Sequence, residues 1–300
     1  MNRRTFNRNA ASALLSASLM PSGVAHSAQA GLKPTSARYK VSVMLWTVFQ
    51  NLPFAQRLEK VAEAGYKYVE LVGEYEKWTD ADFAGINRRR KQLGITFDCT
   101  AGVKHSLCNP AERDALLAEI TRTLAIMARI GCPALILLTG NVVPGMTVEG
   151  QQQSCVDGLK AASRIIEGKK INGEPVRLLL ENIDPEENPK YFLTSVARGF
   201  EIVRAVSHPQ VQFLYDFFHE QISEGNLIEK LEKNIDLVGL VHVADVPGRH
   251  QPGTGEINYS NIFRKLLELN YDKIVAMEFL PTGDPVAQLR AARLSAEAPR

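Results

Sequence analysis

From Lys40 onward the chain repeats one pattern: a helical stretch, a glycine or turn, then an apolar run rich in β-branched residues. The segments "AEAGYKYVELVG" (62–73), "KQLGITFDCTAG" (91–102), "ARIGCPALILLTG" (128–140) and "LELNYDKIVAMEF" (267–279) all carry it. A glycine after the last helical turn takes the left-handed cap, and a short apolar run without polar alternation reads as a strand buried on both faces. Helix and strand alternating in this way predict parallel strands joined by crossover helices. The pattern gives strands at 41–46, 67–72, 94–99, 133–139, 176–182, 211–217, 237–243 and 273–279. Eight such strands predict an α/β fold, a (β/α)8 TIM barrel in a single domain over 31–300. An open doubly wound sheet would show a glycine-rich phosphate turn after an early strand, and "LWTVFQNLPF" has none. No linker rich in Gly, Ser or Pro interrupts 40–295.

The first thirty residues read differently. They hold paired arginines (Arg3, Arg4) followed by Phe6, a weakly apolar stretch of small residues, and an Ala28-Gln29-Ala30 ending suited to cleavage. This resembles a twin-arginine export signal and implies a periplasmic or otherwise exported protein. The stretch from Ala10 to Leu19 is too short and too rich in Ser and Ala for a membrane anchor.

Composition narrows the partners. With 45% hydrophobic and 23% charged residues the chain can bury a substantial core. Its 35 basic and 33 acidic residues leave a net charge of +2, which gives no electrostatic footprint for nucleic acid. The run Arg88, Arg89, Arg90, Lys91 reads as the solvated face of a helix. Cys99, Cys108, Cys132 and Cys155 lack the close paired spacing of a zinc or redox motif and read as buried thiols, with oxidation of some of them the alternative in an exported protein.

In a barrel of this kind the working groups lie at the C-terminal strand ends and in the loops just beyond. The sequence places its unusual polar residues there: "LLLEN" carries Glu181, "FLYDFFH" carries Asp216 and His219, "GLVHVAD" carries His242, and "IVAMEF" carries Glu278. Period-two alternation puts Glu181 on the face of Leu179, His242 on that of Leu240, and Glu278 on that of Ile274 and Ala276. Each polar group therefore extends a row of side chains pointing into the barrel. One such acid alone reads as a helix cap or salt-bridge partner. Four on consecutive strands are another matter, because three carboxylates sharing a small buried volume repel and call for a cation. Oxygen donors with one imidazole suit a divalent metal ion, Mg²⁺ or Mn²⁺ first, with Zn²⁺ or Co²⁺ also compatible.

The segment from "YDFFHEQISEGNL" through "VHVADVPGRHQPGTGEINY" to "IVAMEFLPTGDP" resembles the hydroxypyruvate isomerase branch of the xylose isomerase-like (sugar isomerase/epimerase) TIM barrels. The likeness extends upstream through "YFLTSVARGFEIVRAV" and "LEKVAEAGYKYVEL" and covers most of 40–290. It implies a metal held by Glu181, Asp216, His242 and Glu278, with the two glutamates as catalytic residues. His219 and Arg249 are the substrate-binding residues it implies. The acidic run "NIDPEENPKYF" after Glu181 departs from the pattern, which leaves substrate contacts there open.

The implied reaction is proton transfer between adjacent carbons through an enediolate, interconverting hydroxypyruvate and tartronate semialdehyde or a related keto acid or sugar. An exported keto-sugar epimerase or isomerase, or a 3-keto-glycoside lyase, would use the same parts. A DNA-repair endonuclease of related shape would need a multi-zinc cluster and a basic face, which six histidines and the balanced charge do not suggest. A non-catalytic sugar receptor would have little need of paired glutamates. Arg249 is alternatively a loop contact for Glu256, Trp46 either walls the pocket or is plain core, and Glu70 and His105 are further candidates near the mouth. The expected partner is a small-molecule keto acid or sugar, and a homo-oligomer is compatible with the sequence.

Overall fold

The computed structural model describes residues 37–299, so the proposed export signal at 1–30 lies outside the described residues. Eight parallel strands close into a barrel: β1 (Lys40–Met44), β2 (Tyr68–Val72), β3 (Thr96–Ala101), β4 (Ala134–Leu138), β5 (Arg177–Glu181), β6 (Val211–Asp216), β7 (Val238–Val243) and β8 (Ile274–Met277). Strands β1 and β8 pair directly, Lys40 opposite Ile274 and Val43 opposite Met277, which closes the ring. All eight expected strands are present, with ends shifted by up to two residues. Trp46 lies just past β1 in a short 3-10 turn, and Glu278 just past β8, its N–H bonded to the carbonyl of Val243 at 3.0 Å. Among the described residues no helix is long and apolar enough to cross a membrane.

The outer layer consists of α1 (Phe54–Glu63), α2 (Asp80–Gln92), α3 (Arg113–Ile130), α4 (Val148–Ile166), α5 (Val196–Val206), α6 (Phe217–Ser223), α7 (Leu227–Asn234), α8 (Tyr259–Glu268) and α9 (Pro285–Glu297). Helix α8 shows how these segments dock: Tyr259, Ile262, Phe263 and Leu266 recur at helical spacing and all four are buried. Helix α5 lies so close to β6 that a Cβ on Gly199 would sit 2.2 Å from the ring of Phe213. A side chain at that position would push the helix off the barrel.

Two apolar layers result. One fills the space between strands and helices; the other, inside the barrel, comprises Met44, Cys99, Ala134, Ile136, Leu179, Leu214, Leu240, Ile274 and Ala276. The inner set contains the residues that alternation placed below Glu181, His242 and Glu278. A bulge between β2 and β3 pairs Val69 with Phe97 but Glu70 with Cys99, leaving Asp98 as the extra residue. The four cysteines are buried free thiols. The basic run at 88–91 is only partly a solvated face: Arg90 is buried, its guanidinium 5.2 Å from the centre of the Phe97 ring.

Candidate active site

Strands β5, β6 and β7 and the turn after β8 deliver Glu181, Asp216, His242 and Glu278 to one buried point at the C-terminal mouth. His242 Nδ1 lies 2.7 Å from Glu278 Oε2, 3.3 Å from Glu181 Oε1 and 3.9 Å from Asp216 Oδ2. One donor atom from each of the four residues falls within 4.8 Å of the others. His242 Nδ1, Asp216 Oδ2 and Glu278 Oε2 are all buried, yet none has a hydrogen bond of acceptable geometry. Buried polar atoms without a hydrogen bond are costly, and these have only charge contacts, with one another and with Glu181, His219 and Arg249. A divalent cation between them would satisfy all three, so the donor set fits a metal site of the mixed oxygen and imidazole kind.

The surroundings differ for the two glutamates. Burial pushes the Glu181 carboxyl above the usual carboxylate range, with Glu278 and Asp216 adding to the shift and His242 opposing it. Burial acts on Glu278 in the same sense, but Arg249, His242 and a Trp46 indole N–H at 2.6 Å outweigh it and hold that carboxyl well below the usual range. The His242 imidazole loses basicity through burial and regains more from Glu278 and Glu70, ending well above an ordinary histidine.

Arg249 reaches the mouth from the β7–α8 loop. Its Nη2 lies 2.8 Å from Glu278 Oε2 and 3.6 Å from Asp216 Oδ2, and its Nη1 donates to Glu187 at 2.8 Å. The alternative contact with Glu256 is not made; Glu256 accepts instead from Gln221. The Arg249 guanidinium also stands over the rings of Trp46 and Phe218, at 5.3 and 4.8 Å from their centres. His219, in the first turn of α6, bonds Asp184 Oδ2 through Nδ1 at 2.6 Å and approaches Asp216 Oδ2 through Nε2 at 3.5 Å. Burial lowers its basicity, but Asp216 and Asp184 more than restore it. Glu181, Glu278, His219, Arg249, Trp46 and Glu187 line a cavity of about 250 Å³, closed on other sides by apolar groups including Ile136 and Ile183.

Two residues weighed as substrate contacts sit elsewhere. Glu70 is wholly buried beneath the cluster and takes the other face of His242, its Oε2 2.9 Å from Nε2. This bond directs Nδ1 toward the carboxylates. His105 pairs with Glu119 at 2.6 Å, outside the cavity lining. Three contributors were not singled out in the sequence. Asp184 and Glu187 belong to the acidic run after Glu181 and orient His219 and Arg249. Asp245 accepts from the backbone N–H groups of Val246, Gly253, Thr254, Gly255 and Ile257, tying the loop that carries Arg249 into one shape. An acid ahead of "PGTGEI", a run of turn residues with free N–H groups, was the available signal.

The comparisons agree with this architecture. The xylose isomerase-like TIM barrel family model matches residues 58–296, and the chain belongs to that family. It is 30% identical to the 2-oxo-tetronate isomerase of Haemophilus influenzae over 255 residues, covering 83% of this chain and 96% of that protein. It is 26% identical to the hydroxypyruvate isomerase of Escherichia coli over 259 residues, covering 84% and 97%. In fold it is similar to the crystal structure titled AP endonuclease, family 2, from Brucella melitensis, with a TM-score of 0.74, 24% identity, and coverage of 84% and 96%. Family and relatives together support an isomerase enzyme.

Proposed function

We propose that this chain is a divalent-metal-dependent isomerase of a short hydroxy-keto acid, hydroxypyruvate or a close 2-oxo relative, acting through two glutamates. The observation that carries the reading is the convergence of Glu181, Asp216, His242 and Glu278, the last three with a buried atom lacking a hydrogen bond, beside a small cavity that Glu181, Glu278 and the buried Arg249 guanidinium line. Its volume of about 250 Å³ lies below the range of drug-sized ligand pockets and suits a molecule of a few carbons. The names of the relatives point to the same substrate class.

Glu181, Asp216, His242 and Glu278 would hold the metal, which when bound polarises the substrate's carbonyl and neighbouring hydroxyl oxygens. The protein's own groups do the rest. Glu181 and Glu278 come from β5 and β8, three strands apart around the ring, and so flank a substrate in the mouth. One takes the proton from the hydroxyl-bearing carbon beside the carbonyl; the other returns a proton to the former carbonyl carbon, and the hydroxyl proton moves between the two oxygens. For hydroxypyruvate the product is tartronate semialdehyde. Arg249 offers a planar fork to the substrate carboxylate, with Glu187 holding it in place, and His219, fixed by Asp184, donates to a substrate oxygen.

Export through the Arg3-Arg4 segment belongs to the same proposal, and it favours a second reading in which an exported keto-sugar is epimerised by the same glutamates. The deciding experiment uses protein beginning near Gly31, supplied with Mg²⁺ or Mn²⁺ and offered hydroxypyruvate, 2-oxo-tetronate, ketoses and 3-keto-glycosides in D₂O. Solvent deuterium should enter the carbon beside the carbonyl of the short acids. Exchange confined to the sugars would replace the first reading with the second, and exchange in none of them would overturn both.

A further inference from the structure

The opposite, N-terminal end of the barrel contains a cavity of about 320 Å³ that the reaction does not use. Its rim is a two-stranded hairpin, Lys170–Ile171 and Glu174–Pro175, which α4 leads into before β5 begins. Its floor is Asp98, the extra residue of the β2–β3 bulge, which is buried and turned into the barrel toward Ser42. Oδ1 of Asp98 accepts from the Ser42 hydroxyl at 2.9 Å, and Oδ2 has no partner. A buried carboxyl oxygen without a partner, facing a cavity, is the kind of group that a ligand satisfies.

The wall supplies charge of the other sign. Arg177 donates through Nη1 to the carbonyl of Gly239 at 3.2 Å, and Lys273 donates to the carbonyl of Val238. Among the described residues neither has a carboxylate within 4.0 Å, whereas Lys40 on the rim is paired with Glu174 at 3.1 Å. Lys273 is held below an ordinary lysine by burial and by the charge of Arg177. Asp272, which also lines the cavity, and Asp236 act on Lys273 in the opposite sense without forming an ion pair with it. Two half-buried cations that repel each other and have no carboxylate in contact leave room for an oxyanion between them.

We propose that this end of the barrel is a second small-molecule site, which binds an oxyanion between Arg177 and Lys273 and a hydroxyl on the same molecule at Asp98. The ligand class is a small hydroxylated organic anion, either a carboxylate or a phosphate ester. The site stands whether or not the reaction assigned to the mouth is correct.

Isoleucine methyl NMR on the full chain distinguishes the two ends, since Ile171 and Ile274 line the base cavity while Ile136 and Ile183 line the mouth. Inorganic phosphate, acetate and glycolate are the probes. Saturable shifts of Ile171 and Ile274 are expected with at least one of them, and the tighter of phosphate and glycolate identifies the oxyanion. Arg177→Gln, and separately Lys273→Gln, should each weaken that binding about tenfold, as expected for loss of a charge-assisted hydrogen bond. Glycolate should outbind acetate in the wild type but not in Asp98→Asn. The proposal is overturned if no probe saturates shifts at Ile171 and Ile274, if both charge variants bind like the wild type, or if glycolate and acetate bind equally well in the wild type.

Discussion

The two ends of the barrel surround their buried acids with different partners. At the mouth three carboxylates crowd around His242 and Arg249, and the cationic partners hold Glu278 ionised. At the base Asp98 has only a serine hydroxyl, and burial followed by the neighbouring Glu70 charge pushes its carboxyl well above the usual range. Glu278 is thus held charged at the mouth, whereas Asp98 at the base is pushed toward its neutral form, the direction in which burial also pushes Glu181. Glu70 stands between them, bonded to the far face of His242.

The sharpest way to break this contrast is at the mouth. Glu181→Gln and Glu278→Gln should each lower kcat about 10²- to 10⁴-fold, the usual worth of a positioned acid or base. Solvent-deuterium exchange should fall in step, and wild-type exchange in both variants would remove the glutamates from the mechanism. The next effect is expected from Glu70→Gln, which alters the bond fixing His242 while leaving the four proposed ligands in place. Calorimetric titration with Mn²⁺ should show affinity reduced about 10- to 100-fold, with the circular dichroism of the fold unchanged. Asp245→Asn replaces one of two accepting oxygens by an amide donor, leaving two or three loop N–H groups unpaired. Urea unfolding should register a loss of about 1–3 kcal/mol, with KM rising as Arg249 loosens.

At the base the expected effect is smaller and depends on pH. Folded Asp98 binds its proton more tightly than an unfolded aspartate, whose value is about 3.9. The folded state therefore holds more protons above that pH, and stability falls as pH rises through the elevated folded value. Asp98→Asn removes this slope, so its melting temperature should gain on the wild type as pH is raised above the unfolded aspartate value of about 3.9. Parallel curves for the two proteins would show that Asp98 titrates normally.

What the sequence made legible follows from how local each signal is. Eight apolar runs between helical patterns are local, and so is alternation along one strand, which put Glu181, His242 and Glu278 on inward rows with Leu179, Leu240 and Ala276. The place of Glu70 is not local. It depends on the β2–β3 register, where one extra residue turns both Asp98 and Cys99 toward the barrel, and on a strand far away in the chain that supplies His242. Asp184 and Glu187 were visible only as an acidic run, because a loop's side chains have no periodicity to show where they point. Arg90 went inward for a similar reason: helix α2 is polar on most of its length, and only its packing against Phe97 selects which arginine is covered.

The knot of hydrogen bonds on Asp245 has a consequence for timing. The loop bearing Arg249 is ordered by an acid inside the chain, so most of its conformational entropy is lost when the protein folds and not when substrate binds. On the proposed function, an arriving keto acid would meet a guanidinium already in place, and its association rate is expected to reflect diffusion past the rim near Ile183 and Glu187 more than any folding of the loop.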